Sequence, residues 1–317
     1  MKKFLIIPLL LILVCAIVAI WFYSNIQPAG SNKNFKDFLI EKGTSASEVG
    51  TNLEKAGFIK SSLAFKIYIK ATGVAGKIFS GEYRLTNSMS LFQIVTQLTR
   101  GPIELWVTIP EGFRQEEIAA KFTSGLDRNA SFTTDFLEAA KGHEGTLYPD
   151  TYLFPKDASA SSIVNKMVKT FASKTSNLNP TSDLTVNQSL ILASILERET
   201  KTDIERPIVA GILINRIKAG IPLQVDAAVQ YAIGTSANWW PILSRADLSV
   251  NSPYNTYKFA GFPPGPISNP GLSSLKAAFN PTPNDYFYYI HDRAGQIHYA
   301  KTLAEHNANV ARYLNSP

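Results

Sequence analysis

The sequence has one cysteine, Cys15, so no disulfide can form within the chain. It has four histidines, His143, His291, His298 and His306, and none stands at a zinc-ligand spacing such as HExxH. No GxGxxG follows a strand-like run and no Walker loop is present, so nothing supports nucleotide chemistry. The basic residues form no dense run, which argues against nucleic acid. The net charge of +6 fits another anionic partner, either a membrane surface or an anionic polymer. A serine acyl-enzyme lacks most of its signature. Ser273-Ser274-Leu275-Lys276 matches SxxK, but no SDN follows, and Lys301-Thr302-Leu303 lacks the glycine of KTG.

What is present begins with an apolar run. Residues 4–23, FLIIPLLLILVCAIVAIWFY, are 20 residues without a charge, enough for a helix to span ~30 Å of hydrocarbon. Lys2 and Lys3 precede it, and Trp21 and Tyr23 lie at its far end. Both features place the N-terminus in the cytoplasm. The run is too long for a cleaved signal peptide and ends in WFY rather than a small-x-small site. The expectation is therefore a single-pass anchor in the cytoplasmic (inner) membrane, with the rest of the chain extracytoplasmic, or periplasmic where a second membrane exists. Polar residues 24–36 read as a linker.

A weak repeat follows. KGTSASEVGTNL (42–53), NSMSLFQIVTQL (87–98) and EGFRQEEIAAKF (111–122) each begin like a turn. Each carries an apolar pair four residues apart: Val49 and Leu53, Ile94 and Leu98, Ile118 and Phe122. That spacing predicts three short amphipathic helices. Between them FKDFLI, SGEYRL and IELWVTI read as strands, and strand–helix–helix–strand is one assembly of the first two copies. GTLYPDTYLFP (145–155) reads as an ordered loop. Residues 158–174 predict a helix with Ile163, Met167 and Phe171 on one face. Asp226 is expected to cap a helix ending at Gly234. Residues 251–271 form a long irregular loop with a proline frame, and residues 285–300 a hairpin turning near Asp292–Gly295. Capping boxes at Thr185–Gln188, Thr202–Glu205 and Thr302–Glu305 start three further helices. The fold class is α+β.

The stretch SLILASILERET (189–200) raises the question of chemistry. On a helix from Val186, Leu190, Ala193, Ser194 and Glu197 share one face. Glu197 thus ends a stripe of apolar and small residues that leaves room for another group to approach. Burial and the negative end of the helix dipole both disfavour its charged form, the dipole by ~0.3–1 kcal/mol, which suits a general acid. The plain reading is an exposed Glu paired with Lys201. Glu199 points about 200° away, so the two carboxyls cannot share one pocket. Position alone does not choose between them.

Several motifs together resemble the endolytic murein transglycosylases, the MltG or YceG-like family. They are LASILERET (192–200), GILINRIKAGIPLQVDAAVQYAIG (211–234), LSRADL (243–248), SPYNTYKFAGFPPGPISNPG (252–271), HYAKTLAEHN (298–307) and EGTLYPDTYLFP (144–155). The chain departs from the family at His298-Tyr299, where a His with a nearby Phe is expected. The resemblance implies residues 1–30 as cytoplasmic tip, transmembrane anchor and start of linker. Residues 31–105 would be a small LysM-like module and residues 106–317 a transglycosylase catalytic domain. It implies Glu197 as the catalytic acid. The activity would be non-hydrolytic cleavage of peptidoglycan between N-acetylmuramic acid and N-acetylglucosamine within a strand. That leaves 1,6-anhydromuramic ends and terminates nascent strands near the synthases. Gln224, Asp226, Tyr254, Asn255 and Tyr257 are candidates for holding the sugars. Neither a metal nor another cofactor is called for. Partners would be glycan strands, the membrane through residues 4–23, and peptidoglycan synthases. A scaffold that binds peptidoglycan or synthases with little catalysis is the alternative.

Overall fold

The computed structural model describes residues 6–314, with side chains from Leu10 onward. The predicted span, residues 4–23, lies partly outside these residues. Among the described ones no helix is long and apolar enough to cross a membrane. Helix α1 covers Ile6–Ile26, with Leu10, Leu11, Ile12, Leu13, Ile17 and Ile20 exposed.

The chain divides into two compact units, residues 1–107 with 153–157, and residues 108–152 with 158–317. In the first, β1 (Lys36–Ile40) leads through α2 (Ala46–Lys55) and α3 (Ser62–Thr72) to β2 (Gly81–Leu85). β1 and β2 pair antiparallel from Lys36↔Leu85 to Ile40↔Gly81, so the strand–helix–helix–strand unit forms. α4 (Leu91–Arg100) and β3 (Glu104–Thr108) follow, and β3 pairs antiparallel with β2. Strand alternation in β2 buries Tyr83 and Leu85, which meet Val49, Leu53, Phe65, Ile94 and Leu98 in one core. Each large apolar side chain buried this way contributes ~1.5–3 kcal/mol.

The repeat was sound at the level of the helix. Val49, Leu53, Ile94, Leu98, Ile118 and Phe122 are all buried, the last two on α5 (Gln115–Gly125). Residues 145–155 end differently from expectation. Thr151–Pro155 is a strand, β4, at the edge of a four-stranded sheet in the order β1-β2-β3-β4. An edge strand tolerates its terminal proline because no neighbour needs the missing N–H. Tyr152 and Phe154 point into the core with strand alternation, a signal masked by the Pro and Tyr content.

The second unit is mainly helical. After α5 and α6 (Ala130–Ala139), α7 (Ala160–Thr175) buries Ile163 and Met167 and half-buries Phe171. α8 (Val186–Glu199) starts at a capping box in which Thr185 and Gln188 exchange bonds of 3.2 and 2.9 Å. Thr202 and Glu205 exchange the same type of bonds, but the helix, α9 (Arg206–Lys218), begins four residues later, with Pro207 in its first turn. Proline there lacks an N–H that would have no partner anyway. α10 (Asp226–Ile233) starts with Asp226 already inside the helix; the cap position is Val225 and no side chain caps it. Residues 251–271 stay irregular yet bury Asn255, Thr256, Ile267, Ser268 and Asn269. α11 (Leu272–Phe279) packs on α8 and α9. The hairpin β5 (Tyr288–His291) and β6 (Ile297–Ala300) and a capped α12 (Leu303–Tyr313) complete the unit.

The α8 cap gives a direct test. Thr185→Ala should cost ~0.5–2 kcal/mol in denaturant unfolding, and Thr185→Ser should stay near wild type.

Candidate functional site

α8 is buried from Ser189 to Leu196, and its small residues decide what comes next. Ser194 donates its hydroxyl to Ile191 O at 2.7 Å and accepts the Ile267 N–H at 3.0 Å. Ser268 donates to Ser194 O at 3.1 Å. The backbone of 267–271 therefore lies against the helix, in the space that the small side chains leave. At its end the Gly271 N–H donates to Glu197 Oε2 at 2.9 Å. On the other side, a Cβ at Gly112 would stand 3.4 Å from Glu197 Cγ. Glu197 sits between the two glycine-bearing turns, its side chain only 7% exposed.

Its surroundings are more polar than the stripe suggested. Arg206, the first residue of α9, lies 3.5 Å from Glu197 Oε1 and also pairs with Asp203. Arg206 Nε is buried without a partner. Asp203 in turn accepts the Ser273 hydroxyl at 2.7 Å. Ser273 is thus engaged with a carboxylate, while Lys276 is exposed, which is not the geometry of an acyl-enzyme pair.

A second carboxyl reaches the same place. The turn Ile109–Phe113 brings Glu111 to Gly271, where an added Cβ would fall 1.8 Å from Glu111 Oε1. Gly271 has φ −74°, open to any residue, so it is glycine for space and not for backbone freedom. Partial desolvation of this otherwise exposed residue and the neighbouring Glu197 push the Glu111 carboxyl above its ordinary range, against a smaller opposing pull from Arg206. The sequence reading took Glu111 only as the start of a repeat copy. The available signal was an acid wedged between Pro110 and Gly112 in a turn too tight to be a helix.

Glu199 occupies a separate cluster. Its carboxylate accepts the Tyr289 hydroxyl at 3.0 Å, and burial pushes it above the usual carboxylate range. Gln224, Asp226 and Tyr257 gather on this side. Tyr257 donates to Asp226 at 2.5 Å, and Arg216 donates to Gln224 Oε1 at 2.5 Å. Gln224 holds a left-handed backbone at φ 54°, costly for a residue with a Cβ. Both Gln224 and Asp226 are exposed, so a ligand can reach them. Asn255 is fully buried. Its amide nitrogen donates to Leu248 O and Val250 O at 3.0 and 2.8 Å, and its Oδ1 accepts the Tyr257 N–H at 3.0 Å. It shapes the loop that carries the two tyrosines. No described contact joins any of these residues to Glu197.

Tyr254 belongs to a third group. Its ring lies 5.0 Å from that of Tyr231, whose hydroxyl donates to Glu144 at 3.2 Å. Glu144 also accepts the Gln115 N–H at 3.2 Å and the Asn269 amide at 2.6 Å. Asn269 accepts the Leu147 N–H at its Oδ1 and the Gly112 N–H at its carbonyl, tying both glycine turns to Glu144. Sequence reading missed Glu144, although it heads the quoted EGTLYPDTYLFP. Arg114 lies over the Tyr231 and Trp239 rings at 4.1 and 4.7 Å, and Arg198 over Trp240 at 3.8 Å.

Among the described residues no three His, Cys, Asp or Glu side chains are placed to hold a metal ion. Two described cavities, of about 570 and 410 Å³, lie along α7 and around Asn215 and Asn284, and neither is lined by Glu197.

Three comparisons bear on this arrangement. The family model for the YceG-like family matches residues 38–312. An endolytic murein transglycosylase of Bacillus subtilis is 33% identical, over 87% of this chain and 84% of its own length. An endolytic murein transglycosylase of Streptococcus pneumoniae (strain D39) is 29% identical over 92% of this chain. The match spans only 61% of that relative's length. A solved yceG-like protein of Listeria monocytogenes is 30% identical with a TM-score of 0.55, covering 87% of this chain and 99% of that one.

Burial pushes the Glu144 carboxyl up to about 7. A carboxyl raised on folding favours the native state while both states are protonated. That advantage is lost as pH rises from the unfolded value of about 4.5 through 7. The contribution of Glu144 to unfolding free energy should therefore fall by about 3 kcal/mol across that window. In Glu144→Gln this part of the slope should vanish, as read by denaturant unfolding at several pH values.

Proposed function

The chain belongs to the YceG-like family, and from that premise we infer that it is an endolytic murein transglycosylase. It would cut peptidoglycan strands between N-acetylmuramic acid and N-acetylglucosamine and leave 1,6-anhydromuramic ends. The observation that carries this reading is the seating of Glu197. In the last turn of α8 its carboxyl is held by the Gly271 N–H and Arg206 and lies against the turn at Gly112. It stands within the motif that the resemblance implies is catalytic.

Glu197 acts as the acid. It protonates the oxygen bridging the two sugars while the C6 hydroxyl of the muramic acid attacks C1. No water enters, so the second carboxyl that hydrolytic glycosidases use to activate one has no such task here. The exposed Gln224 and Asp226, with Tyr254 and Tyr257, supply donors and acceptors for sugar and N-acetyl groups, and Asn255 braces their loop. Basic net charge suits an anionic glycopeptide.

The rest of the chain fits a membrane-tethered enzyme acting on nascent strands beside peptidoglycan synthases. The exposed apolar side chains of α1 support an anchor, single-pass with the N-terminus in the cytoplasm and the larger unit outside. The strand–helix–helix–strand unit supports a LysM-like module over residues 31–105. Partition of the full chain with the membrane fraction, resistant to high salt but released by detergent, is the expected result. Release by salt alone would remove the anchor.

The catalytic test is digestion of purified peptidoglycan by the full-length chain in detergent, with ends identified by mass spectrometry. Wild type and Glu199→Gln should both give anhydro ends. Glu197→Gln should give at least about 100-fold fewer. Reducing ends would mean hydrolysis. No cleavage by folded wild type would favour a scaffold.

A further inference from the structure

Glu197 does not stand alone. The Gly271 N–H touches its Oε2 at 2.9 Å, and the place of a Cβ on the same glycine lies 1.8 Å from Glu111 Oε1. Through ordinary covalent geometry the two carboxyl oxygens are no more than about 7 Å apart. Both carboxyls are therefore within reach of one glycosidic bond. Glu111 is exposed and has no hydrogen-bond partner among the described residues, so it is open to a substrate. The charged and titratable groups facing it are Glu197 from α8, Arg206 from α9, Asp203 from the turn before α9 and the Tyr148 phenol from the segment before β4. One arginine thus stands among three carboxyls.

We propose that Glu111 is the catalytic base, the carboxylate that takes the C6 hydroxyl proton while Glu197 protonates the leaving oxygen. The proposal rests on the transglycosylase reading above. As the C6 oxygen bonds to C1, its proton passes to Glu111. The C1–O bond to the next sugar breaks, and that oxygen takes the proton of Glu197. Nothing else is consumed. Glu111 ends protonated and Glu197 ionised, and one proton returned between them through solvent restores the starting pair.

The test compares full-length wild type, Glu111→Gln, Glu111→Ala and Gly271→Ala for rates of anhydro-end formation across pH, with thermal unfolding as the folding control. Glu111→Gln should fold as wild type and lose about 100-fold in turnover. It should also lose the fall in rate on the acid side, since that limb reports the group that must be ionised. Added formate should restore part of the Glu111→Ala rate and none of the Glu197→Gln rate. Gly271→Ala keeps an allowed backbone but displaces Glu111, so it should cost little further in a Glu111→Gln background. A Glu111→Gln rate within about threefold of wild type, or an unchanged acid limb, overturns the proposal and leaves the transglycosylase reading standing. Absence of anhydro ends from folded wild type overturns that reading first, and this proposal with it.

Discussion

The backbone of residues 267–271 lies flat against the small-residue face of α8, and the rest of the site depends on that contact. It exists because Ala193 and Ser194 take so little room, and because Ser194 bonds to the approaching chain instead of only making space for it. Two residues further on, the same segment presents Asn269 to the turn at Gly112, and then the Gly271 N–H to Glu197. A β-branched or longer side chain at 194 would push this segment outward. Glu197 would then lose its donor, and Glu111 the surface it lies against.

Beneath this contact, Glu144 does for the loops what Ser194 does for the helix. A buried carboxyl normally costs stability, and this one is surrounded by three donors from three parts of the unit: Gln115, Tyr231 and Asn269. Each donor lowers the cost of burial without abolishing it. The arrangement resembles other buried polar networks, in which a specific geometry is retained at the expense of stability. Arg114 and Arg198, stacked on Tyr231, Trp239 and Trp240, enclose the same region with cations whose charge the aromatic faces partly meet.

Much of this was legible in the sequence where local periodicity and capping chemistry decide the outcome. The apolar pairs at Val49, Leu53, Ile94, Leu98, Ile118 and Phe122 are buried as their spacing implied, and the boxes at Thr185 and Thr302 cap their helices. The stripe leading to Glu197 was readable for the same reason. Strand β4 was not, because Pro155 and two tyrosines imitate loop composition while an edge position removes the objection to them. Asp226 sits inside its helix because the residue before it already has extended backbone and takes the cap position. Glu111 and Glu144 were hidden for a different reason. Each gains its role only from contacts across long sequence separations, with Gly271 and with Asn269, and no local pattern encodes those. The same holds for Asn255, whose bonds stay within seven residues but depend on a loop shape that composition does not fix.

The two acids that close α8 have a mechanical consequence. Glu197 is fastened on one side by Gly271, and Glu199 on the nearly opposite side by Tyr289. Such a helix is keyed like a shaft from both flanks, and its last turn cannot roll. At a side-chain radius of about 6 Å, a roll of about 10° carries a carboxyl by about 1 Å. Displacement on that scale is enough to slow an enzymatic step by about two orders of magnitude. The phenol of Tyr289, with no described contact to Glu197, thus belongs to the parts that fix where the acid on the opposite face comes to rest.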